Sequence, residues 1–144
     1  GCSSNKNEQK EQSAENPEIA VVETEPEEEA QTAPKHGVGP VESVDLTDEI
    51  DAELATTGEG IFQTKCVACH SFDQKLIGPA MKDVTERRNP AWIMNMIMNP
   101  QEMTEKDPVA KKLLGEYMTQ MVNQNVTEDD ARAILEYFRS VDKQ

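Results

Sequence analysis

The sequence predicts a small all-α domain that is preceded by a long acidic segment. Helix start signals recur three times after residue 88, and no segment alternates apolar and polar residues in the way that a strand does. The negative charge is concentrated ahead of these signals, because residues 1–54 hold a net charge of −12 and the whole chain holds −14. We therefore expect an acidic tail over residues 1–54 and a folded helical domain over residues 55–144.

The composition of the tail predicts disorder. It contains no aromatic residue, and the stretch Glu23–Glu29 holds five glutamates. Such a segment cannot bury enough apolar surface to offset the entropy cost of ordering, so we expect residues 3 to about 50 to be disordered. The remaining domain, about 90 residues long, has a marginal core without a cofactor, metal or disulfide. The overall acidity argues against nucleic-acid binding.

Helix boundaries can be predicted from capping signals. Asn89-Pro90 and Asp107-Pro108 each place an N-cap residue before a proline at the first helical position, which predicts helices from Pro90 to about Met98 and from Pro108 to about Tyr117. Asn99-Pro100 is interpreted as the end of the first of these. Loops are expected over residues 71–80, 99–107 and 118–126.

Two further helices are predicted at the ends of the domain. From Thr56 the spacing of Gly58, Phe62 and Cys66 places all three on one helical face. Near the C-terminus, Thr127 with Asp130 is close to a capping box and opens a helix to about Val141. The apolar stripe of that helix consists of Ile134, Tyr137, Phe138 and Val141.

The segment Cys66-Val67-Ala68-Cys69-His70 is the C-x-x-C-H signature of covalent c-type haem attachment. Two cysteines three residues apart can form thioethers to the two vinyl groups of one haem, and the adjacent histidine can bind its iron. A zinc site would need a second pair of ligands, and the remaining cysteine and histidine, Cys2 and His36, lie in the predicted tail. A redox dithiol would need a βαβ context that this sequence lacks.

With this motif the chain resembles the class I cytochrome c family over residues 56–144. The match includes Gly58-x-x-x-Phe62, the C-x-x-C-H segment and Ile77-Gly78-Pro79-Ala80. The resemblance implies that the carbonyl oxygen of Pro79 accepts a hydrogen bond from His70, which orients the ring. It also implies a close crossing of the first and last helices, with Gly58 against Tyr137.

The resemblance further implies a methionine as sixth iron ligand, on a loop about six residues before the N-cap of the last helix. Counting back from Thr127 reaches Met121, and Met118 and His36 remain alternatives. The proline that usually follows the ligand is replaced by Val122. Most of the seven methionines are expected in the core, and Met94 and Met98, four residues apart on one helix, are expected to pack around the haem rather than to bind its iron.

Arg87, Arg88 and Trp92 resemble side chains that bind haem propionates in some relatives, because the guanidinium fork suits a carboxylate. A solvated charge pair beside a core tryptophan is an equally good interpretation. Arg88 and Trp92 are therefore candidates for binding the cofactor.

Gly1-Cys2-Ser3-Ser4 resembles the lipid-attachment junction of bacterial lipoproteins. The alternative is an ordinary free cysteine, and Gly1 does not fit a processed N-terminus. The expectation is a lipid anchor at Cys2, at the periplasmic face of a bacterial membrane. A tail of about 50 residues would span roughly 40 Å from this anchor.

These features together predict an electron carrier with one covalent haem c, rather than an enzyme with a small-molecule substrate. The expected role is a membrane-tethered shuttle between a quinol-oxidising complex and a terminal oxidase or reductase. A fixed subunit of a larger assembly, such as an alternative complex III, is the alternative. A peroxidase, a nitrite reductase or a ligand-sensing domain would need an open iron position, which two axial side chains close.

Overall fold

The computed structural model describes Gly1 and residues 33–144, which include no β-strand. The predicted all-α class is confirmed. The helices that the structure describes are α1 (Ala52–Lys65), α2 (Val84–Arg87), α3 (Pro90–Met98), α4 (Pro100–Lys106), α5 (Pro108–Tyr117) and α6 (Glu128–Asp142). None of the helices in this part of the chain is long and apolar enough to cross a membrane.

Three predicted helix starts are confirmed by their caps. The side chain of Asn89 accepts from the N–H of Ala91, and the side chain of Asp107 accepts from the N–H of Ala110, both at 2.9 Å. The hydroxyl of Thr127 accepts from the N–H of Asp130 at 3.2 Å. These bonds satisfy donors that the helix itself leaves open, which is why local sequence located these ends.

The predicted loop over residues 99–107 is wrong, because most of it forms α4. Pro100 occupies the first helical position of α4, so the Asn99-Pro100 pair both ends α3 and begins the next helix. The first helix also begins earlier than predicted. Asp51 caps α1 by accepting from the N–H of Leu54 at 2.9 Å.

Helices α1 and α6 cross at close range beside Gly58. A β-carbon added at Gly58 would lie 1.9 Å from the carbonyl oxygen of Ala133, so only glycine permits this crossing. The close crossing is as predicted, but the nearest atoms belong to the backbone of Ala133 and Ile134 rather than to Tyr137. Tyr137 instead packs against Phe62, with ring centroids 5.7 Å apart.

Residues 33–50 lie against the domain, and the expectation that they are disordered is wrong. We call residues 33–51 the N-terminal strap. Its centre is held by Asn95 of α3, a fully buried residue whose Oδ1 accepts from the N–H of Val41 at 3.1 Å. The Nδ2 of Asn95 donates to the carbonyl oxygens of His36 at 2.9 Å and Val41 at 2.8 Å. The N–H of Val38 also points at the sulfur of the buried Met103, at 3.0 Å.

The end of the strap is held by charged side chains of α6. Arg139 donates to the carbonyl oxygen of Thr47, and a carboxylate oxygen of Glu136 accepts from the N–H of Asp51 at 2.9 Å. Glu136 is buried and also binds Arg132 at 2.7 Å and Arg139 at 2.8 Å. The strap therefore attaches through backbone hydrogen bonds as well as through apolar side chains such as the buried Val41. Residues 2–32 lie outside the described residues, so the expectation of disorder is untested there.

Candidate haem site

The C-x-x-C-H segment continues the last turn of α1. The N–H of Cys66 donates to the carbonyl oxygen of Phe62 at 2.9 Å, and the carbonyl oxygen of Cys66 accepts from the N–H of His70 at 3.0 Å. These bonds hold both cysteines and the histidine in one short segment of consecutive turns. Cys66 is half-buried against the core, and Cys69 is exposed.

Burial raises the pKa of the Cys66 thiol, and the nearby Lys65 opposes this rise. A thiol in such surroundings holds little thiolate at neutral pH, and thiolate is the form that reacts with metals and oxidants. The environment of Cys66 therefore suits an uncharged sulfur, and a thioether is uncharged.

His70 is oriented from its Nδ1 side. That nitrogen lies 2.9 Å from the carbonyl oxygen of Pro79, as the resemblance implied. The N–H of Gly78 in turn donates to the carbonyl oxygen of Cys69 at 2.8 Å, which closes the loop back onto the motif. With Nδ1 donating to a carbonyl, Nε2 is the unprotonated nitrogen that can bind a metal.

Gly78 is needed where it stands because the imidazole of His70 lies against it. An added β-carbon would be 2.5 Å from Cε1 and 2.9 Å from Nδ1 of the ring. The two thiols and the imidazole, which Gly78 allows to lie close to the backbone, fit a covalently attached haem.

The methionines separate by exposure. Met81, Met94 and Met103 are buried, and Met96 and Met98 are half-buried against the core, so most of the methionines lie in the core as predicted. Met118 ends α5 in the left-handed conformation, with φ 52°, and its side chain is 87% exposed. Met121 is half-buried in the loop that follows. Of the two candidates, Met121 is the one placed against the protein.

His36, the third candidate for the sixth ligand, belongs to the N-terminal strap. It is half-buried in a turn in which the N–H of Gly37 donates to the carbonyl oxygen of Pro34 at 2.9 Å. The backbone of His36 is bound by Asn95. The strap therefore fixes this residue on the side of α3 that carries Asn95.

The assignment of Trp92 to a haem propionate is not supported by its hydrogen bonding. The indole N–H donates to a carboxylate oxygen of the buried Asp107 at 3.0 Å, so the one polar group of this side chain is already used. The same oxygen accepts from the N–H of Ala110. Asp107 thus joins α3 to the start of α5, a role that sequence reasoning missed beyond its capping function.

Arg88 keeps a guanidinium suited to a carboxylate. The guanidinium carbon of Arg88 lies 5.3 Å from the centre of the Trp92 ring. Within residues 33–144 the guanidinium N–H groups of Arg88 have no hydrogen-bond partner, whereas those of Arg87 do. Burial lowers the pKa of Arg88, with Arg87 acting in the same direction. Arg87 itself is bound to the carbonyl oxygens of Lys82 and Ala80. Arg88 therefore remains a candidate for a propionate, and Arg87 serves its own loop.

The large exposed apolar side chains in the described chain all lie beside predicted haem-binding residues. Val67 is inside the attachment motif, and Leu76 and Ile77 immediately precede Gly78-Pro79. The remaining two, Met118 and Val122, flank Met121. We call these five residues the apolar rim.

Comparison with known proteins agrees with the site. A family model described as Cytochrome c matches residues 55–142. Cytochrome c-551 of Pseudomonas denitrificans is 58% identical over 33 residues, covering 22% of this chain and 40% of that protein. Cytochrome c-551 of Stutzerimonas stutzeri is 51% identical over 35 residues, covering 24% and 34%. These matches therefore span well under half the length of the curated relatives.

Two solved structures match over a larger part of the chain. A cytochrome c from Rhodothermus marinus has a TM-score of 0.74 and 48% identity, covering 76% of this chain and 95% of that one. An engineered cytochrome c from the same organism, bound to a carbene intermediate, has a TM-score of 0.72 and 46% identity, covering 83% and 100%. Both matches cover more of this chain than residues 55–142.

An all-α domain with one C-x-x-C-H segment and an oriented histidine defines a mono-haem c-type protein. This chain belongs to the cytochrome c family. It carries covalent haem c and transfers electrons. The bound haem supplies the one-electron couple, and the protein supplies the attachment, the axial histidine and the surroundings of the cofactor.

Proposed function

We propose that this cytochrome is a mobile, membrane-tethered carrier that moves electrons from a quinol-oxidising complex to a terminal oxidase or reductase. The observation that carries the proposal is the apolar rim. A carrier must bind two partners in turn and release each quickly, and small apolar contacts without fixed ion pairs allow this. The ten residues from Tyr117 to Val126 contain no charged side chain, although 29% of the whole chain is charged.

The test is the rate at which quinol-supplied membranes of the host reduce the purified cytochrome. Met118→Lys should slow this second-order rate severalfold, because a charge replaces the most exposed side chain of the rim. Thr56→Lys, an exposed change on α1, is the matched control and should leave the rate unchanged. Equal rates for wild type and Met118→Lys would contradict docking at the rim. Copurification in a fixed stoichiometric complex would favour the alternative of a permanent subunit.

Within this function we propose Met121 as the sixth ligand of the iron. Its support is the half-buried position of Met121 and the solvent exposure of Met118. Met121→Ala should keep the covalent haem but remove the charge-transfer band between the methionine sulfur and ferric iron. The reduction potential should fall, because the thioether favours ferrous iron. Met118→Ala should change neither property, and the reverse result would transfer the assignment to Met118.

The tether is proposed at Cys2, which lies outside the described residues. Its support is the Cys2-Ser3-Ser4 sequence, together with a covalent haem, which bacteria attach on the outer side of the cytoplasmic membrane. Because residues 33–50 are part of the surface of the domain, the tether is formed by the residues before them. Cys2→Ser should move the protein from the membrane fraction to the soluble fraction. An unmodified Cys2 thiol in the native protein, seen by mass spectrometry, would exclude the anchor.

A further inference from the structure

The loop between α5 and α6 carries Met121 without backbone support of its own. The last backbone hydrogen bond before it runs from the N–H of Met118 to Leu114, and the first after it runs from the N–H of Ala131 to Thr127. Between these two, no backbone-to-backbone hydrogen bond forms among the described residues. The position of the loop therefore depends on side chains.

Three sets of side-chain hydrogen bonds tie this loop to the rest of the domain, besides a local bond from the N–H of Asn125 to the side-chain oxygen of Asn123. Lys65 donates to the carbonyl oxygen of Gln124 at 3.2 Å, and Asn123 donates to the carbonyl oxygen of Met98 at 3.4 Å. Both bonds are exposed to solvent, and neither starts at a buried side chain. The third set begins at a buried residue, Thr104 of α4, which is 6% exposed.

The third set ends on the backbone of Met121 itself. The hydroxyl of Thr104 lies 2.9 Å from the side-chain oxygen of Gln120, and the Nε2 of Gln120 donates to the carbonyl oxygen of Met121 at 3.1 Å. The Thr104 hydroxyl also lies 2.9 Å from the carbonyl oxygen of Gln101. That carbonyl is inside helix α4, where the helix supplies a donor, so the single hydroxyl proton can go to Gln120.

We propose that Thr104 and Gln120 are positioning residues that hold Met121 ready to bind the iron. The inference rests on the proposed role of Met121 as sixth ligand. A ligand on a mobile loop loses conformational entropy when it binds the iron. If the carbonyl group of Met121 is already held in place, part of that entropy loss is avoided. Because α4 provides the anchor, this helix, over residues predicted to form a loop, supports the segment that carries Met121.

The test measures how easily imidazole displaces the native ligand of the intact ferric haem protein. Removing one net hydrogen bond, worth about 0.5–1.5 kcal/mol, should raise the affinity for imidazole about 2- to 12-fold in Thr104→Val and in Gln120→Leu. The double variant should match the single variants, because each change breaks the same chain of hydrogen bonds. Thr104→Ser keeps the hydroxyl and should restore the wild-type affinity.

Matched controls use the same chemical changes at nearby positions outside the chain of hydrogen bonds. Thr119→Val lies in the same loop, and Gln101→Leu alters only an exposed side chain of α4 that binds Glu105. Both should bind imidazole as the wild type does. The exposed Gln120→Leu should fold even where the buried Thr104→Val is poorly tolerated.

The Met121→Ala variant distinguishes the proposed ligand role of Met121 from the proposed positioning role of Thr104 and Gln120. It should abolish the charge-transfer band and bind imidazole more tightly than any other variant. If Met121→Ala leaves both properties unchanged, the proposed ligand is wrong. If Met121→Ala has its expected effect while Thr104→Val and Gln120→Leu bind imidazole like the wild type, the positioning inference is wrong. Lower stability to denaturant without a change in imidazole affinity would likewise reduce the pair to a structural role and overturn it.

Discussion

Replacing Asn95 with leucine should free the centre of the N-terminal strap while leaving the haem attached. The amide of Asn95 makes three hydrogen bonds to the strap, at 3.1, 2.9 and 2.8 Å, and the side chain is fully buried. Leucine has a similar size but can make none of them. At about 0.5–1.5 kcal/mol net for each bond, the free energy of unfolding should fall by about 1.5–4.5 kcal/mol. Release of the strap into water limits the loss.

Two measurements check this reasoning. Chemical denaturation gives the loss of stability, and hydrogen exchange should show faster exchange of the Val41 amide in the variant. A chain that starts near Asp51 provides the control, because it lacks the partners of Asn95. In that chain, which should still hold haem through Cys66 and Cys69, the substitution should cost less than about 1 kcal/mol. Equal costs with and without the strap, or an unchanged Val41 amide, would refute the explanation.

Two further substitutions test the crossing of α1 and α6 and the ionic contacts of the strap. Gly58→Ala should destabilise the protein by at least about 2 kcal/mol in denaturation, because the new methyl group would lie 1.9 Å from the Ala133 carbonyl oxygen. Gly60→Ala, in the same helix with open space around it, should stabilise by about 0.5–1 kcal/mol, and equal effects would contradict the packing argument. Burial alone would raise the pKa of Glu136, but hydrogen bonds from the Asp51 N–H, Arg132 and Arg139 outweigh it, so the pKa lies below the usual glutamate value. The ionised carboxylate therefore stabilises the fold above the usual pKa, and this contribution is lost as the pH falls through the lowered pKa. Glu136→Gln should cost about 1–3 kcal/mol at pH 7, with a difference from wild type that shrinks below about pH 4.5; a difference that is constant with pH would show that the charge is not involved.

Met118 and Met121 show how far residue spacing alone could narrow the candidates for the sixth iron ligand. The two residues are three positions apart in a stretch without charged side chains. Counting back from Thr127 favoured Met121 only by analogy with the family. The left-handed end of α5 at Met118 turns that side chain into solvent. Where a helix stops depends on its packing as well as on its caps, so the exposure of these two residues could not be read from the sequence.

The sequence by itself determined the features that depend on neighbours along the chain. These are the attachment motif, the caps at Asn89, Asp107 and Thr127, and the all-α class, because a cap or a motif works over three or four residues. The bond from His70 to Pro79 also spans only nine residues, and it was predicted from the resemblance.

Only the tertiary structure decided what the acidic segment does. Residues 33–50 belong to an acidic segment, yet they attach through backbone hydrogen bonds and bury apolar side chains, among them Val41. Their hydrogen-bond partner, Asn95, is a polar residue in the otherwise apolar stretch from Ala91 to Met98, and this contrast was one local sign of the contact, as were Val38, Val41 and Val44 of the segment itself. Composition measures how much surface a segment can bury, whereas backbone hydrogen bonding depends on a buried amide 54 to 59 residues away.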